Sequence, residues 1–210
     1  VGLIMKTSKA KNSVMDRIET KKHIGNILSR HQDAKCKVYL LHGNMTEEEI
    51  HSLYKHPKIK ALTTATCGEG YGLPIFEAAY SGMPVIATDW SGHLDFLSAP
   101  YKENGKTKDK KLFAKVNYTL SEIDDAVVWD GVLVKGSKWA YANPASYKTQ
   151  LRKVYKSHGM YKKWATALQE HILKTHKKED IIQKFVNSLG IEPETPEVID
   201  WMSSQQEIEQ

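Results

Sequence analysis

Short apolar runs alternating with amphipathic stretches predict an α/β protein. The expected fold is a Rossmann-like parallel sheet with helices on both faces and additional helices at the C-terminal end. Two observations carry that expectation. Four β-like apolar runs recur at short intervals up to residue 88, with helical spacing between them. A glycine-rich stretch, "CGEGYGLP" from Cys67 to Pro74, falls at a strand-to-helix junction. In open parallel sheets, ligands lie beyond the carboxyl ends of the strands, where such junctions are found.

Taken in order, Gly2–Lys6 is apolar and β-like. Residues 13–31 read as a helix with Val14, Ile18, His23, Ile24, Ile27 and Leu28 near one side. "KVYLLHG", residues 37–43, is a second strand. "TEEE" then supplies a capping box, with Thr46 as N-cap and Glu49 reaching back, and starts a helix whose apolar side carries Ile50, Leu53 and Tyr54. Residues 59–64 form a third strand. Residues 73–81 form a helix with Pro74 in its first turn, where a missing N–H costs little. Gly82 ends it, and residues 82–88 supply a fourth strand.

Residues 100–111, "PYKENGKTKDKK", read as a polar, lysine-rich surface loop. Short strands are expected at residues 115–120 and 131–133. A helix follows Pro144, with Tyr147, Leu151, Val154 and Tyr155 at helical spacing. Two more are expected at residues 161–175 and 179–189, their apolar stripes serving as packing surfaces. The domain organisation expected is one Rossmann-like domain with C-terminal helices over residues 1–189. An acidic, poorly ordered tail then fills residues 190–210.

Composition narrows the function. The 210 residues carry a net charge of +5, with 40% hydrophobic and 26% charged residues. Mean hydropathy is -0.50, and no apolar run approaches the roughly 20 residues of a membrane span. The start lacks the order of a signal peptide. It opens on a strand without an initiator Met, which suggests a piece of a longer protein. Cys36 and Cys67 form no disulfide framework or metal-ligand spacing and fit a reducing, cytosolic setting as core or turn residues. The residues from Ile191 onward hold six acids and no Lys or Arg, so the body of the chain carries all 30 basic residues. Such a body favours phosphates, polyanions or an acidic surface. No nucleic-acid-binding motif is present.

The turn at residues 67–73 carries the chemistry. Its small residues let backbone N–H groups approach a ligand, and a helix N-terminus adds unpaired donors and partial positive charge. That makes an anion seat, though the spacing is neither a dinucleotide fingerprint nor a P-loop. Glu69 lies in the turn and Glu77 about one helical turn inside. A carboxylate beside a phosphate seat is suited to another part of the ligand, and carboxylates accept hydrogen bonds from hydroxyls. Two of them flanking a diphosphate suit a nucleoside diphosphate sugar, with a ribose at one end and a hexose at the other.

"EGYGLPIFE" followed by "AAYSGMPVIATDWSG", with "MTEEEIHSLYKHPKIKALTTAT" upstream, resembles the donor-binding signature of the glycosyl transferases group 1 family. These are retaining nucleotide-sugar glycosyltransferases of the GT-B fold, and the resemblance is to the C-terminal, donor-binding domain. It implies that Glu69 contacts donor-sugar hydroxyls, that Glu77 binds the ribose, and that the amides near Gly70, Tyr71, Gly72 and Leu73 face the diphosphate. The family's basic pair, Arg and then Lys followed by Gly, maps to Lys6 and to Lys11 followed by Asn12. Lys9 is an alternative to Lys11. This departs from the family pattern, because lysine lacks the bidentate fork of arginine. Gly43, Asn44 and Met45, after His42, fall where the base would rest, although loop packing explains them equally well. His93 is readable as an acid/base group, but a capping histidine at a small helix start is the simpler account.

The resemblance implies no cofactor and no metal, the nucleotide-diphosphate sugar being the donor substrate; no Asp-x-Asp motif is evident. It implies a glycan, lipid or protein acceptor held by an N-terminal domain preceding Val1, so that the present chain alone would be inactive. It also implies a cytoplasmic location, which leaves room for peripheral association at the inner face of a membrane, and no nucleic-acid partner. Two other classes remain open at this point. One is a non-catalytic module binding a nucleotide or phosphorylated ligand; the other is a basic nucleic-acid-binding domain.

Overall fold

The computed structural model describes residues 1–10 and 12–190. The acidic tail from residue 191 and Lys11 lie outside the described residues. The chain divides into two compact units, Val1–His56 and a second beginning at Pro57.

In the first unit, β1 (Gly2–Lys6) and β2 (Lys37–Leu41) pair in parallel, with Lys6 opposite Leu41. Parallel neighbours need a crossover, and α1 (Val14–Leu28) supplies it. Ser13 caps α1 by accepting from the Asp16 amide. The apolar stripe expected on α1 stays mostly outside: Val14, Ile18 and Ile27 are exposed, and the helix buries Asp16 and Thr20 instead. The buried side of α1 serves a polar network described below. α2 (Glu47–Lys55) follows with the expected reciprocal capping box. The Glu49 amide donates to Thr46 Oγ1 at 3.3 Å, and the Thr46 amide to Glu49 Oε2 at 2.9 Å.

The second unit is built around a three-stranded parallel sheet in the order β3–β4–β7, formed by Leu62–Thr63, Val85–Thr88 and Ala114–Val116. Every residue of β4 is buried, as a central parallel strand requires. α3 (Leu73–Tyr80) joins β3 to β4 and lays Ile75, Ala78 and Ala79 into the core. Gly82, at φ 69°, closes α3. Its carbonyl accepts from Lys162 Nζ at 2.6 Å, and Gln169 Nε2 donates to the Tyr80 carbonyl at 2.8 Å. Both come from α5 (His158–Thr175), which thereby binds the C-terminal end of α3, where a cation also suits the helix dipole. Ile86, Ala114 and Val116 pack with Tyr161 of α5 and with Val154 of α4 (Pro144–Lys156). α6 (Lys178–Ser188) completes the C-terminal helices. Parallel strands joined by helices, followed by these helices, constitute the Rossmann-like α/β class that the sequence predicts.

Three expectations fail locally. Residues 100–111 are not a loop: β5 (Ser98–Glu103) and β6 (Lys106–Lys111) form an antiparallel hairpin. Asn104 and Gly105, both at positive φ, make its two-residue turn. An Asn-Gly pair there is a strong hairpin signal and outweighs the polar composition. The lysines that suggested a loop instead line the strands, where charge discourages edge-to-edge pairing. Residues 131–133 form no strand, only a bridge between Trp129 and Leu133. β9 (Lys138–Ala142) was not anticipated and pairs with β8 (Tyr118–Glu122). The alternation of "WAYA", with Ala140 buried and Tyr141 exposed, is its period-2 signature.

Candidate functional site

The turn between β3 and α3 is held to its neighbours at successive points. The Thr66 carbonyl accepts from Thr88 Oγ1 at 3.0 Å, and the Cys67 carbonyl from the Ala140 amide at 3.1 Å. The Glu69 amide donates to Ser91 Oγ at 2.8 Å. The same hydroxyl donates to the Glu69 carbonyl at 2.6 Å, and the Gly92 amide donates to that carbonyl at 3.1 Å. Beyond Glu69 the pattern stops. The amides of Gly70, Tyr71, Gly72 and Leu73 have no hydrogen-bond partner among the described residues.

Gly72 is the N-cap of α3, at φ 87°, and has no side chain to satisfy the helix start. A Cβ there would lie 3.2 Å from His93 Cβ and 3.3 Å from Ile75 Cδ1. The left-handed backbone and the crowding both select glycine. The open amides and the partial positive charge of the helix end coincide at one place.

Glu69 is half-buried and Glu77 exposed, and neither carboxylate has a hydrogen bond or ion pair among the described residues. Glu77 shares the outer face of α3 with Leu73, four residues earlier, while Ile75, Ala78 and Ala79 face inward. The Tyr71 ring packs against Phe76 and Phe96, with centroids 5.5 and 5.0 Å away. Burial, reinforced by nearby Asp95, pushes its phenol pKa up. Tyr71 thus contributes a backbone amide to the turn, while its ring, still partly exposed, covers Phe76 and Phe96.

His93 is fully buried in the short 3-10 turn Gly92–Asp95, with Nε2 2.7 Å from the Thr88 carbonyl. It braces the end of β4 rather than capping a helix, and its Nδ1 is buried without a hydrogen-bond partner among the described residues.

In the first unit, the parallel register of β1 and β2 brings their following loops to one edge. Lys6 Nζ donates to the carbonyl of Gly43, which sits at φ 116°. Asn44 is exposed and Met45 half-buried in the same loop. The residue that organises this edge is Asp16, which sequence reasoning did not single out. Its Oδ1 accepts from the amides of Lys9 at 3.1 Å and Ala10 at 3.0 Å, and its Oδ2 lies 3.0 Å from His42 Nε2. It thereby ties the loop after β1 to the loop after β2. The signal was available: a Ser-x-x-Asp at the start of α1 puts an acid at the third helical position. Ser91 was missed as well, and nothing in its sequence neighbourhood announces it.

Burial pushes the Asp16 carboxyl pKa up, but hydrogen bonds from His42, Lys9 and Ala10 outweigh burial and hold it below the usual carboxylate range. A carboxyl depressed on folding stabilises fully above its unfolded pKa, and that contribution is lost as pH falls through the lower, folded value. Asp16→Asn should therefore lower the unfolding temperature at neutral pH. It should also narrow the gap between melting curves at neutral pH and at about pH 3, read by circular dichroism.

Residues 19–121 match the family Glycosyl transferases group 1. The match covers about half of the chain and contains the turn, Glu69, Glu77 and the loop at Gly43, Asn44 and Met45. Lys6 and Lys11 precede it. A glycosyl transferases group 1 segment supports glycosyl transfer as the class of activity, with a sugar donor and an acceptor as substrates. A search of curated proteins found no match. Among the described residues, no helix is long and apolar enough to cross a membrane.

Proposed function

We propose that this chain is the donor-binding half of a retaining, hexosyltransferase-like glycosyltransferase that uses a nucleotide-diphosphate sugar. One observation carries the reading: the amides of residues 70–73, four in a row without a hydrogen-bond partner among the described residues, open the N-terminus of α3, and the carboxylates before and after them in the chain, Glu69 and Glu77, have no partner among those residues either. The amides suit the diphosphate. Glu77 takes the ribose hydroxyls and Glu69 the hydroxyls of the transferred sugar.

Transfer breaks the bond between the anomeric carbon and the diphosphate oxygen, and the electron pair leaves with the diphosphate. Donors already in place at α3 stabilise that developing charge without reorganising. Lys6 and Lys11 are assigned to neutralise the same leaving group. The acceptor hydroxyl attacks from the face the diphosphate leaves, so configuration is retained, and its proton passes to the leaving diphosphate oxygen. No nucleophile from the protein is required. Gly43, Asn44 and Met45 are assigned to the base. The acceptor, a glycan, lipid or protein, is held by residues outside this sequence, so the chain alone binds donor and transfers little. The reaction draws on no cofactor, and the site is cytoplasmic, facing the inner surface of a membrane where the acceptor is a lipid.

The test is thermal unfolding with uridine, guanosine, adenosine and thymidine diphosphates. At a hundredfold excess over Kd, a ligand that binds only the folded state adds about 2.7 kcal/mol, and one of the four should raise the melting temperature by several degrees. Four flat responses would count against the whole reading.

A further inference from the structure

Resting on that donor-site reading, we infer that Ser91 is the positioning residue that aims Glu69 at the donor sugar. Ser91 has φ 90° and ψ -174°, a region occupied almost only by glycine. A side chain there is strained, and it persists only where its surroundings over-determine it. The surroundings are the two main-chain groups of Glu69. The Ser91 hydroxyl accepts from the Glu69 amide at 2.8 Å and donates to the Glu69 carbonyl at 2.6 Å.

One hydroxyl thus satisfies both polar backbone atoms of one residue, and the Gly92 amide adds a second bond to the same carbonyl. Two backbone anchors on a single residue fix the direction of its Cα–Cβ bond. The carboxylate beyond it has no partner among the described residues, so its aim is set from the backbone and its oxygens stay available. Glycine at position 91 would remove the strain, yet it has no hydroxyl and could not hold Glu69.

The strain and the hydroxyl separate in two variants. Ser91→Gly loses both; Ser91→Ala loses only the hydroxyl. In the whole chain, Ser91→Ala should melt below Ser91→Gly. In both, binding of UDP-glucose or GDP-mannose, whichever the wild-type chain takes, should weaken about tenfold. Binding of the matching UDP or GDP should stay within about twofold. Amide exchange at Glu69, followed by NMR without ligand, should accelerate in Ser91→Gly. A purely structural role would weaken nucleotide sugar and bare nucleotide alike, and that result overturns the inference, as does an unchanged sugar-to-nucleotide ratio in Ser91→Gly. If Ser91→Ala does not fold, Ser91→Gly decides alone. A wild-type chain that binds none of uridine, guanosine, adenosine and thymidine diphosphates sinks the donor reading and this role with it. Binding by wild type with an unaltered ratio in the variants sinks this role only.

Discussion

Gly92→Ala should be among the most disruptive single changes in the second unit, lowering stability by about 3 kcal/mol. A Cβ at position 92 would fall 1.9 Å from the Gly70 carbonyl oxygen, 2.8 Å from its carbon and 3.0 Å from the Glu69 carbonyl oxygen. All three are main-chain atoms, so no side chain can swing aside. Either the turn at residues 91–92 or the turn at residues 69–70 must move. Moving the first breaks the bonds that Ser91 and Gly92 make to Glu69; moving the second displaces the amides that open the helix end. Gly70→Ala is the matched control. Nothing lies within 4 Å of its added Cβ, and its stability should stay within about 0.5 kcal/mol of wild type. Urea denaturation of the two variants separates them, and a Gly92→Ala chain as stable as wild type would show that the close approach of the two turns is wrong.

The sequence announces those features whose causes lie within a few residues. The capping box of Thr46 and Glu49, Pro74 in the first turn of α3 and the buried run of β4 are all local, and the structure has them. The glycine-rich turn is legible for the same reason: only small residues tolerate a left-handed N-cap pressed against Ile75. The hairpin of β5 and β6 was also local, but its Asn-Gly turn was outweighed by lysine content, which reports solvent exposure and not backbone shape.

Asp16 and Ser91 are different. Asp16 acts through a histidine 26 positions away, and Ser91 through Glu69, 22 positions earlier. Ser-x-x-Asp spacing marks Asp16 as an acid of the helix start, but its bond to His42, like that of Ser91 to Glu69, leaves no periodic or spaced trace in the chain. An unusual backbone angle such as that of Ser91 is visible only in coordinates, and serine gives no hint of it. The shape of the candidate site could thus be read from spacing, whereas what holds it in place required the fold.

The two carboxylates should fail in distinguishable ways. Glu77→Ala is expected to weaken nucleoside diphosphate and nucleotide sugar together, because the ribose is common to both. Glu69→Gln is expected to weaken only the nucleotide sugar, since the amide keeps the shape of the side chain but not its charge. A hydrogen bond to a charged group contributes about 1.5–3 kcal/mol, so each loss should lie between about tenfold and about 150-fold in affinity. Neither change should alter the melting temperature of the free chain by much. Neither carboxylate has a partner among the described residues, and Glu77 is exposed on a helix, where alanine is well tolerated. That separation gives the experiment its force. A variant that loses affinity and stability together says little about the ligand, whereas one that loses affinity at unchanged stability has lost a contact made only when the ligand is present. Equal losses for bare nucleotide and nucleotide sugar in Glu69→Gln would remove the sugar from its assigned side of the diphosphate. An unaffected nucleotide in Glu77→Ala would remove the ribose from the other.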